Sequence, residues 1–229
     1  MKPTAVPASV GALIKRGYWV GDNRIARLMC VEWIWAKTVK KWCATTQSNH
    51  LLPVVENTLN LEFTVESPKR VWAGDLTCVW TTEGWLYLAA MLDLYSRAVI
   101  GWAMGRRLTV DLAERAFTMA LANRNPPAGL LHHSDRSSRY AEHSHQRVLS
   151  EHGITTSMSY TGNCWDKACV ETFFGILKRE LIYHRHYVIR EEGTQDIFEY
   201  IEVLYNWRRR HANLSYDSPA EFQARTAVA

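Results

Sequence analysis

The pattern of hydrophobic and polar residues changes character at Val71. Before this residue the chain is largely polar or basic, whereas three apolar runs follow it in quick succession, at residues 71–80, 85–94 and 97–105. These runs are rich in Trp, Val, Ile and Tyr, which are residue types that favour β-strands. Because only short connections separate them, the sequence predicts three antiparallel strands joined as hairpins.

The remainder of the chain alternates between helical and strand-like patterns. Residues 109–123 have the spacing of an amphipathic helix, with Thr109 as a possible N-cap. This order of elements predicts an α/β fold with a mixed five-stranded sheet flanked by helices, and it resembles the order of ribonuclease-H-like folds. The later segments are predicted in the order strand 129–134, helix 140–152, strand 154–159, helix 165–182 and helix 191–211.

Basic residues are concentrated near the N-terminus. Residues 1–50 contain eight Lys or Arg against two Asp or Glu, while the rest of the chain contains 19 against 21. Residues 23–42 have a helical period, with Asn23 as a plausible N-cap. A small basic helical N-terminal segment on a mildly acidic body is typical of a protein that binds a polyanion, although a solvated basic face has the same composition.

The composition, with 47% hydrophobic and 22% charged residues, is that of a globular protein with one well-buried core. Residues 44–70 are polar and contain two prolines, so they resemble a linker. The sequence therefore predicts four segments, which are a basic helical segment at 1–45, a linker at 46–67, the α/β core at 68–185, and a C-terminal helix and tail at 186–229.

The sequence favours a cytoplasmic protein with reduced thiols. No apolar run approaches the roughly 18 residues that a membrane-spanning helix needs, and the N-terminus makes a poor signal peptide. The five cysteines are odd in number and include no CxxC pair. A disulfide framework and a thiolate zinc site are therefore not expected.

Three carboxylates lie in apolar surroundings that call for compensation. Asp75 lies in the middle of the first predicted strand, where a buried unpaired carboxylate is costly. Asp135 follows a short apolar strand, at the edge where α/β sheets bind ligands, and Glu171 lies in an apolar helix. Mg²⁺ prefers carboxylate oxygens, and two ions about 3.5–4 Å apart serve phosphoryl transfer. Each acid taken singly could instead form a salt bridge or a cap.

Other polar residues have simpler interpretations. Asp93 precedes a predicted turn, so it is expected to stabilise that turn or to pair with Arg97, and the weaker alternative is an auxiliary metal ligand. The pair His132 and His133, which precedes Asp135, is interpreted as packed side chains rather than metal ligands.

Several long segments, in the right order, resemble a known family. They are similar to the catalytic subunit of bacterial insertion-sequence transposases, which has a retroviral-integrase-type core and is encoded by the second of two overlapping reading frames. The resemblance covers roughly residues 20–223, and the 35 residues between Asp135 and Glu171 are a typical spacing. The matching segments are VWAGDLT, LDLYSRAVIGWAM, LHHSDRSSRY, SMSYTGNCWDKACVETFFGILKRE and YNWRRRHANLSYDSPAEF.

The resemblance implies a DNA transposase. Asp75, Asp135 and Glu171 match the family's acidic triad, which would hold two Mg²⁺ or Mn²⁺ ions. Water would first cleave the end of the element to leave a 3′-hydroxyl, and that hydroxyl would then attack another phosphodiester. The implied partners are DNA at the element ends and the target, further copies of the chain as a homo-oligomer, and the product of an upstream reading frame.

Some positions depart from the family pattern. Ser137 stands where Gly is usual, Arg139 where Gln is usual, and Lys167 where Asn is common. The first 20 or so residues are expected not to resemble the family, so residues 1–45 are interpreted as the remnant of a DNA-binding segment. Two alternatives to transposition stay open, namely a nuclease of the same fold that only hydrolyses DNA, and an inactive DNA-binding remnant.

Basic side chains near the predicted site are candidates for phosphate contact. Lys178 follows Glu171 by seven residues and so shares its helix face, although a solvated lysine is the alternative. A basic cluster ends the helix predicted at 191–211, where charge at a helix C-terminus is the alternative. The candidate DNA-binding residues are Lys178, Arg208, Arg209, Arg210, Lys40 and Lys41.

Overall fold

The computed structural model describes residues 6–34, 55, 57–59, 65–135, 140, 142–159 and 168–227, with the backbone alone at 143–145. Within these ranges no helix is long and apolar enough to cross a membrane, and Cys30 and Cys169 take part in no disulfide. Several residues named above lie outside the described ranges, namely Lys40, Lys41, Ser137, Arg139 and Lys167.

The five predicted strands form one mixed sheet in the order β3-β2-β1-β4-β5. The first three strands pair antiparallel as hairpins, while β4 and β5 are added in parallel on the other side of β1. The predicted five-stranded mixed sheet is thereby confirmed. The strands are β1 Val71–Thr81, β2 Gly84–Asp93, β3 Val99–Gly105, β4 Leu131–Ser134 and β5 Thr155–Met158.

Helices flank both faces of the sheet and precede it. A π-helical segment, Tyr200–Tyr205, continues directly from the sixth helix. A short 3₁₀ turn at Ile182–His184 precedes the sixth helix, and another at Ala212–Leu214 follows the π-helical segment. The helices are α1 Val6–Lys15, α2 Asp22–Val31, α3 Val110–Arg124, α4 His143–Glu151, α5 Ala168–Glu180, α6 Arg190–Glu199 and α7 Pro219–Ala227.

The N-terminal helices differ from the prediction of one helix at 23–42. The observed α2 has Gly21 rather than Asn23 as its N-cap and ends at Val31. The backbone at Trp33 has a positive φ of 55°, which a continuing right-handed helix does not allow. The unpredicted α1 packs on α2 through a small apolar cluster. The members of this cluster are Val6, Val10, Ile25 and Met29.

The sheet has two buried faces with separate apolar clusters. On one face, here called the α5 face, α5, α6 and the π-helical segment cover β1 and β2. On the other, the α3 face, α3 and α4 cover the sheet. Neighbouring residues of β1 alternate between the faces, since Ala73 belongs to the first cluster and Trp72 to the second.

The free edge of β3 is covered by side-chain amides. Asn206 accepts a hydrogen bond from the N–H of Val99 at 2.9 Å and donates one to the carbonyl of the same residue at 2.9 Å. Asn123 donates to the carbonyl of Ile100 at 3.0 Å. These contacts satisfy backbone groups that would otherwise be open to pairing with another strand.

Candidate active site

The parallel pairing of β1 with β4 aligns two of the three predicted carboxylates. Val71 pairs with Leu131 and Ala73 with His133. Asp75 and Asp135 each follow two residues later, so the register places them at the same level and on the same face of the sheet. Their exposed fractions are 9% and 6%. The sheet register therefore brings Asp75, in the middle of β1, level with Asp135, which directly follows β4.

Asp75 is held within β1 on the α5 face. It pairs across the sheet with Ala90 of β2, which belongs to the apolar cluster of that face. The N–H of Leu76 donates to Asp75 Oδ1 at 2.8 Å. A side chain on a central strand with one oxygen bound in this way has little freedom to rotate.

Glu171 lies in the first turn of α5, the helix that covers this face. Its neighbours Val170 and Phe174 are buried in the core, whereas Glu171 is exposed. Within the described ranges, no group of three or more His, Cys, Asp or Glu side chains is arranged to hold a metal ion. The structure thus aligns the two aspartates and places Glu171 on the covering helix, without bringing all three together.

One contact beside Glu171 was not predicted from the sequence. Arg97, which lies in the β2–β3 connection with φ of 60°, donates from Nη1 to Cys169 Sγ in the first turn of α5. Burial raises the pKa of the Cys169 thiol, and the charge of Arg97 opposes this effect. The contact ties the start of α5 to the sheet. Its only sequence signal is an arginine directly after a turn.

The other interpreted residues have internal roles. Ser96 donates to Asp93 Oδ2 through its backbone N–H at 3.3 Å and its hydroxyl at 2.7 Å, which confirms the role of Asp93 in the turn. His132 packs against Phe117, and His133 Nδ1 lies 3.0 Å from a serine hydroxyl. Both histidines are buried, so their interpretation as packed side chains is confirmed.

The predicted basic cluster divides between internal and exposed positions. Arg209 Nε and Nη2 lie 3.1 and 3.0 Å from Glu180 Oε1, at the end of α5. Arg210 forms an ion pair with Glu221, while Arg208 is exposed. Lys178 lies in the last turn of α5, half-buried. DNA contact by these residues stays a prediction, and Arg209 in addition anchors α5.

His211, at the end of this cluster, gives the protein an acid-sensitive group. Its ring packs edge-on against Tyr205 with centroids 5.0 Å apart, and its buried Nε2 has no hydrogen-bond partner among the described residues. Burial, followed by the charges of Arg209 and Arg97, lowers the pKa of His211 to about 3.

We expect this histidine to destabilise the fold in acid. In the unfolded chain it takes up a proton near pH 6.5, whereas in the folded chain it does so only near pH 3. Its contribution is therefore complete above pH 6.5 and is lost as the pH falls toward 3, at up to about 1.4 kcal/mol per pH unit. Urea unfolding of the His211→Phe variant should show a shallower pH dependence in this window. An unchanged slope would assign the acid sensitivity to other groups.

Comparison with known proteins identifies the family of this chain. The integrase core domain family matches residues 65–164 and again residues 171–226. The insertion element IS600 31 kDa protein of Shigella sonnei is 46% identical over 211 residues, covering 92% of this chain and 78% of the relative. Transposase InsF of insertion sequence IS3A from Escherichia coli is 41% identical over 217 residues, covering 95% and 75%. The alignment with InsF covers 217 of the 229 residues, so it extends into the first 20 residues. The expectation that these residues do not resemble the family was therefore wrong for part of them.

Solved structures show the same fold at low sequence identity. The simian T-cell lymphotropic virus intasome, in complex with a PP2A regulatory subunit, has a chain that aligns with a TM-score of 0.58 at 14% identity, covering 94% of this chain and 73% of that one. The HTLV-2 integrase catalytic core in complex with magnesium gives 0.54 at 18%, covering 69% and 97%. The sheet therefore has the ribonuclease-H-like fold of integrase cores. Together with the insertion-sequence relatives, this shows that the chain belongs to the family of insertion-sequence transposases with an integrase-type core.

Proposed function

We propose that this transposase cleaves DNA at the ends of its insertion sequence and joins the freed 3′-hydroxyl to a second phosphodiester. Asp75, Asp135 and Glu171 are the proposed catalytic acids. The observation that carries the proposal is the alignment of Asp75 with Asp135 on neighbouring parallel strands, beneath the helix that bears Glu171. Two acids at one level of a sheet cannot form an ion pair with each other. In a family that moves DNA, this arrangement suits chemistry at phosphorus better than a structural role.

The donor set fits Mg²⁺ or Mn²⁺. Two adjacent buried carboxylates repel each other unless a cation offsets their charge, and their oxygens are the ligands that such ions prefer. The HTLV-2 core, which shares the fold, was solved in complex with magnesium. We propose that Asp75, Asp135 and Glu171 hold two ions, with Glu171 completing the set on binding. Such ions supply Lewis-acid stabilisation of charge that develops at phosphorus.

The chain's own residues orient the substrate and the acids. Asp75 is fixed by its strand and by the N–H of Leu76, so its carboxylate is preorganised. Lys178 lies two turns along α5 from Glu171 and is proposed to contact a DNA phosphate. Arg208, exposed beyond the π-helical segment, is proposed to do the same. Arg209 holds the far end of α5 through Glu180 and is a positioning residue.

We further propose that the active species is an oligomer on DNA. Transposition acts on two ends of one element, and a single copy of this site addresses one phosphodiester at a time. The same proposal includes four further points. The chain associates with the product of an upstream reading frame, and Lys40 and Lys41 contact DNA phosphates. The chain is divided into the segments given above, and it acts in the cytoplasm.

A strand-transfer assay tests the proposed function. Purified protein is mixed with Mg²⁺, target DNA and a duplex that carries the element end with a pre-formed 3′-hydroxyl. We expect joined products, and none from the same duplex ending in a 3′-deoxynucleotide, because the attacking oxygen is then missing. Cleavage without joining would indicate a nuclease that only hydrolyses DNA. Neither cleavage nor joining would indicate an inactive remnant.

A further inference from the structure

The tip of the β1–β2 hairpin carries two exposed tryptophans. Trp80 and Trp85 are directly paired across the hairpin, and their rings make an edge-to-face contact with centroids 4.8 Å apart. Their exposed fractions are 56% and 45%. The two adjoining rings form a contiguous apolar patch, and such patches are candidate binding sites.

The tip projects as a two-stranded arm, here defined as residues 79–86. The pairing of β1 with β4 covers only Val71 to Ala73, and β3 pairs with β2 no further than Tyr87. Among the described residues, the strands of the arm pair only with each other. The arm therefore extends beyond the described pairing of β1 with β4, while its Val79 and Leu86 are buried in the cluster of the α5 face.

The arm is rigid because another segment clamps it. Arg190 Nε donates to the carbonyl of Trp85 at 2.9 Å, and its Nη2 donates to the carbonyl of Glu83 at 3.0 Å. Its Nη1 lies 2.6 Å from Glu83 Oε1. The N–H of Thr82 donates to the carbonyl of Tyr187 at 2.9 Å. A surface held in this way loses little conformational entropy when a ligand binds.

Positive charge lies near the arm, because the pairing of β2 with β3 ends with Tyr87 opposite Gly105. Arg106 and Arg107 are exposed and directly follow the end of β3, and neither forms an ion pair within the described part of the chain. The pKa of Glu83 is lowered, first by the hydrogen bond from the Arg190 backbone and also by the charges of Arg190 and Arg106. Arg106 therefore acts on the same tip, and exposed aromatics beside unpaired arginines suit a nucleic acid.

The exposed rings select the form of that nucleic acid. In a duplex each base is stacked on its neighbours, whereas unpaired bases are free to stack on exposed tryptophan rings. Trp80 lies five residues beyond Asp75, which is roughly 16 Å along β1. Because five is odd, the two side chains leave opposite faces of the strand. A flexible single strand can span this distance and follow the change of face.

We propose that the arm binds unpaired nucleotides of DNA beside the cleavage point, with bases stacked on Trp80 and Trp85 and phosphates held by Arg106 and Arg107. This inference rests on the proposed function, since it takes the DNA that Asp75 and Asp135 would cut. In this proposal the arm holds a frayed or overhanging DNA end next to Asp75 and Asp135.

The test compares DNA binding without metal, so that no cleavage occurs. Fluorescence anisotropy measures the Kd for an element-end duplex with a short single-stranded extension and for the same duplex with blunt ends. We expect the wild type to prefer the extended duplex. In the Trp80→Ala/Trp85→Ala variant, binding of the extended duplex should weaken about tenfold while binding of the blunt duplex is kept. The matched Trp80→Phe/Trp85→Phe variant retains aromatic rings and should keep most of the preference.

Three outcomes would overturn the inference. Equal Kd values for the alanine variant and the wild type on extended DNA would show that the tryptophans do not stack on bases. Loss of a dimer in light scattering, with the DNA preference intact, would make the arm an interface between copies. No preference by the wild type, in protein that still joins DNA ends, would reject the arm alone and leave the proposed function standing. Should the alanine variant fail to fold, the Arg106→Gln/Arg107→Gln variant must lower affinity for the extended duplex, or the proposal fails.

Discussion

Replacing Asp135 with Asn is expected to abolish metal-dependent cleavage of the element ends. The substitution keeps the size of a side chain that is almost fully buried, but it removes one negative charge and one oxygen ligand beside Asp75. Loss of several kcal/mol of stabilisation at phosphorus corresponds to a rate lower by about 10³-fold or more. Gel analysis of end cleavage in Mg²⁺ measures the effect.

The control for this prediction is Asp111→Asn, which makes the same chemical change elsewhere. Asp111 pairs with Arg115 at 3.2 Å on the surface of α3, and its side chain is 73% exposed. Exposed pairs contribute little, so cleavage should be unchanged. A second measurement is the rise in Tm that Mg²⁺ gives the wild type, which Asp135→Asn should lack. Cleavage at the wild-type rate by Asp135→Asn would reject the proposed acidic site.

Replacing Gly101 with Ala should lower the free energy of unfolding by about 3 kcal/mol. A methyl group at Gly101 would lie 2.2 Å from the carbonyl oxygen of Ala116 and 2.6 Å from the backbone nitrogen of Ala120, both in α3. Backbone atoms of a packed helix cannot give way as the end of a side chain can. Either α3 moves off the sheet or β3 bends, and both changes loosen the α3 face.

The same strand offers a matched control in Gly105→Ala. There the added methyl group would meet Leu112 Cδ1 at 3.3 Å, which is the end of a side chain and can shift. The stability of this variant should stay within about 1 kcal/mol of the wild type, since alanine also loses less entropy than glycine on folding. Urea unfolding followed by tryptophan fluorescence compares the two variants. Equal stabilities would mean that α3 does not approach β3 as closely as described.

The strands were predictable because local sequence carries the reason for them. β1 and β3 are rich in aromatic and β-branched residues, β2 combines two aromatics with Leu, Ala and Met, and the short connections between the three favour paired strands. The N-terminal helices were less predictable. α1 is stabilised mainly by four apolar residues shared with α2, and the helix signal in α2 continued past Val31, where the backbone turns.

Asp75 and Asp93 both lie in apolar strands, but only the role of Asp93 depends on local contacts, which is why the sequence could predict it. Asp93 turns inward to the hydroxyl and N–H of Ser96, three residues away, and so has a structural role. Asp75 is instead aligned with Asp135 through the pairing of β1 with β4. That pairing joins segments far apart in the chain, and no short window of sequence contains it.

By itself, the sequence determined the strands, the burial of Asp75, and the family, since all three depend on residue type and order. Only the tertiary structure decided which charges meet. Arg209, predicted to contact DNA, lies against Glu180 at 3.0 Å, 29 residues earlier in the chain. Arg97 reaches Cys169 beside Glu171, and the Trp80–Trp85 arm projects past β4. The physical reason is that charge pairing and exposure depend on distances across the fold, which the packing of helices on the sheet sets.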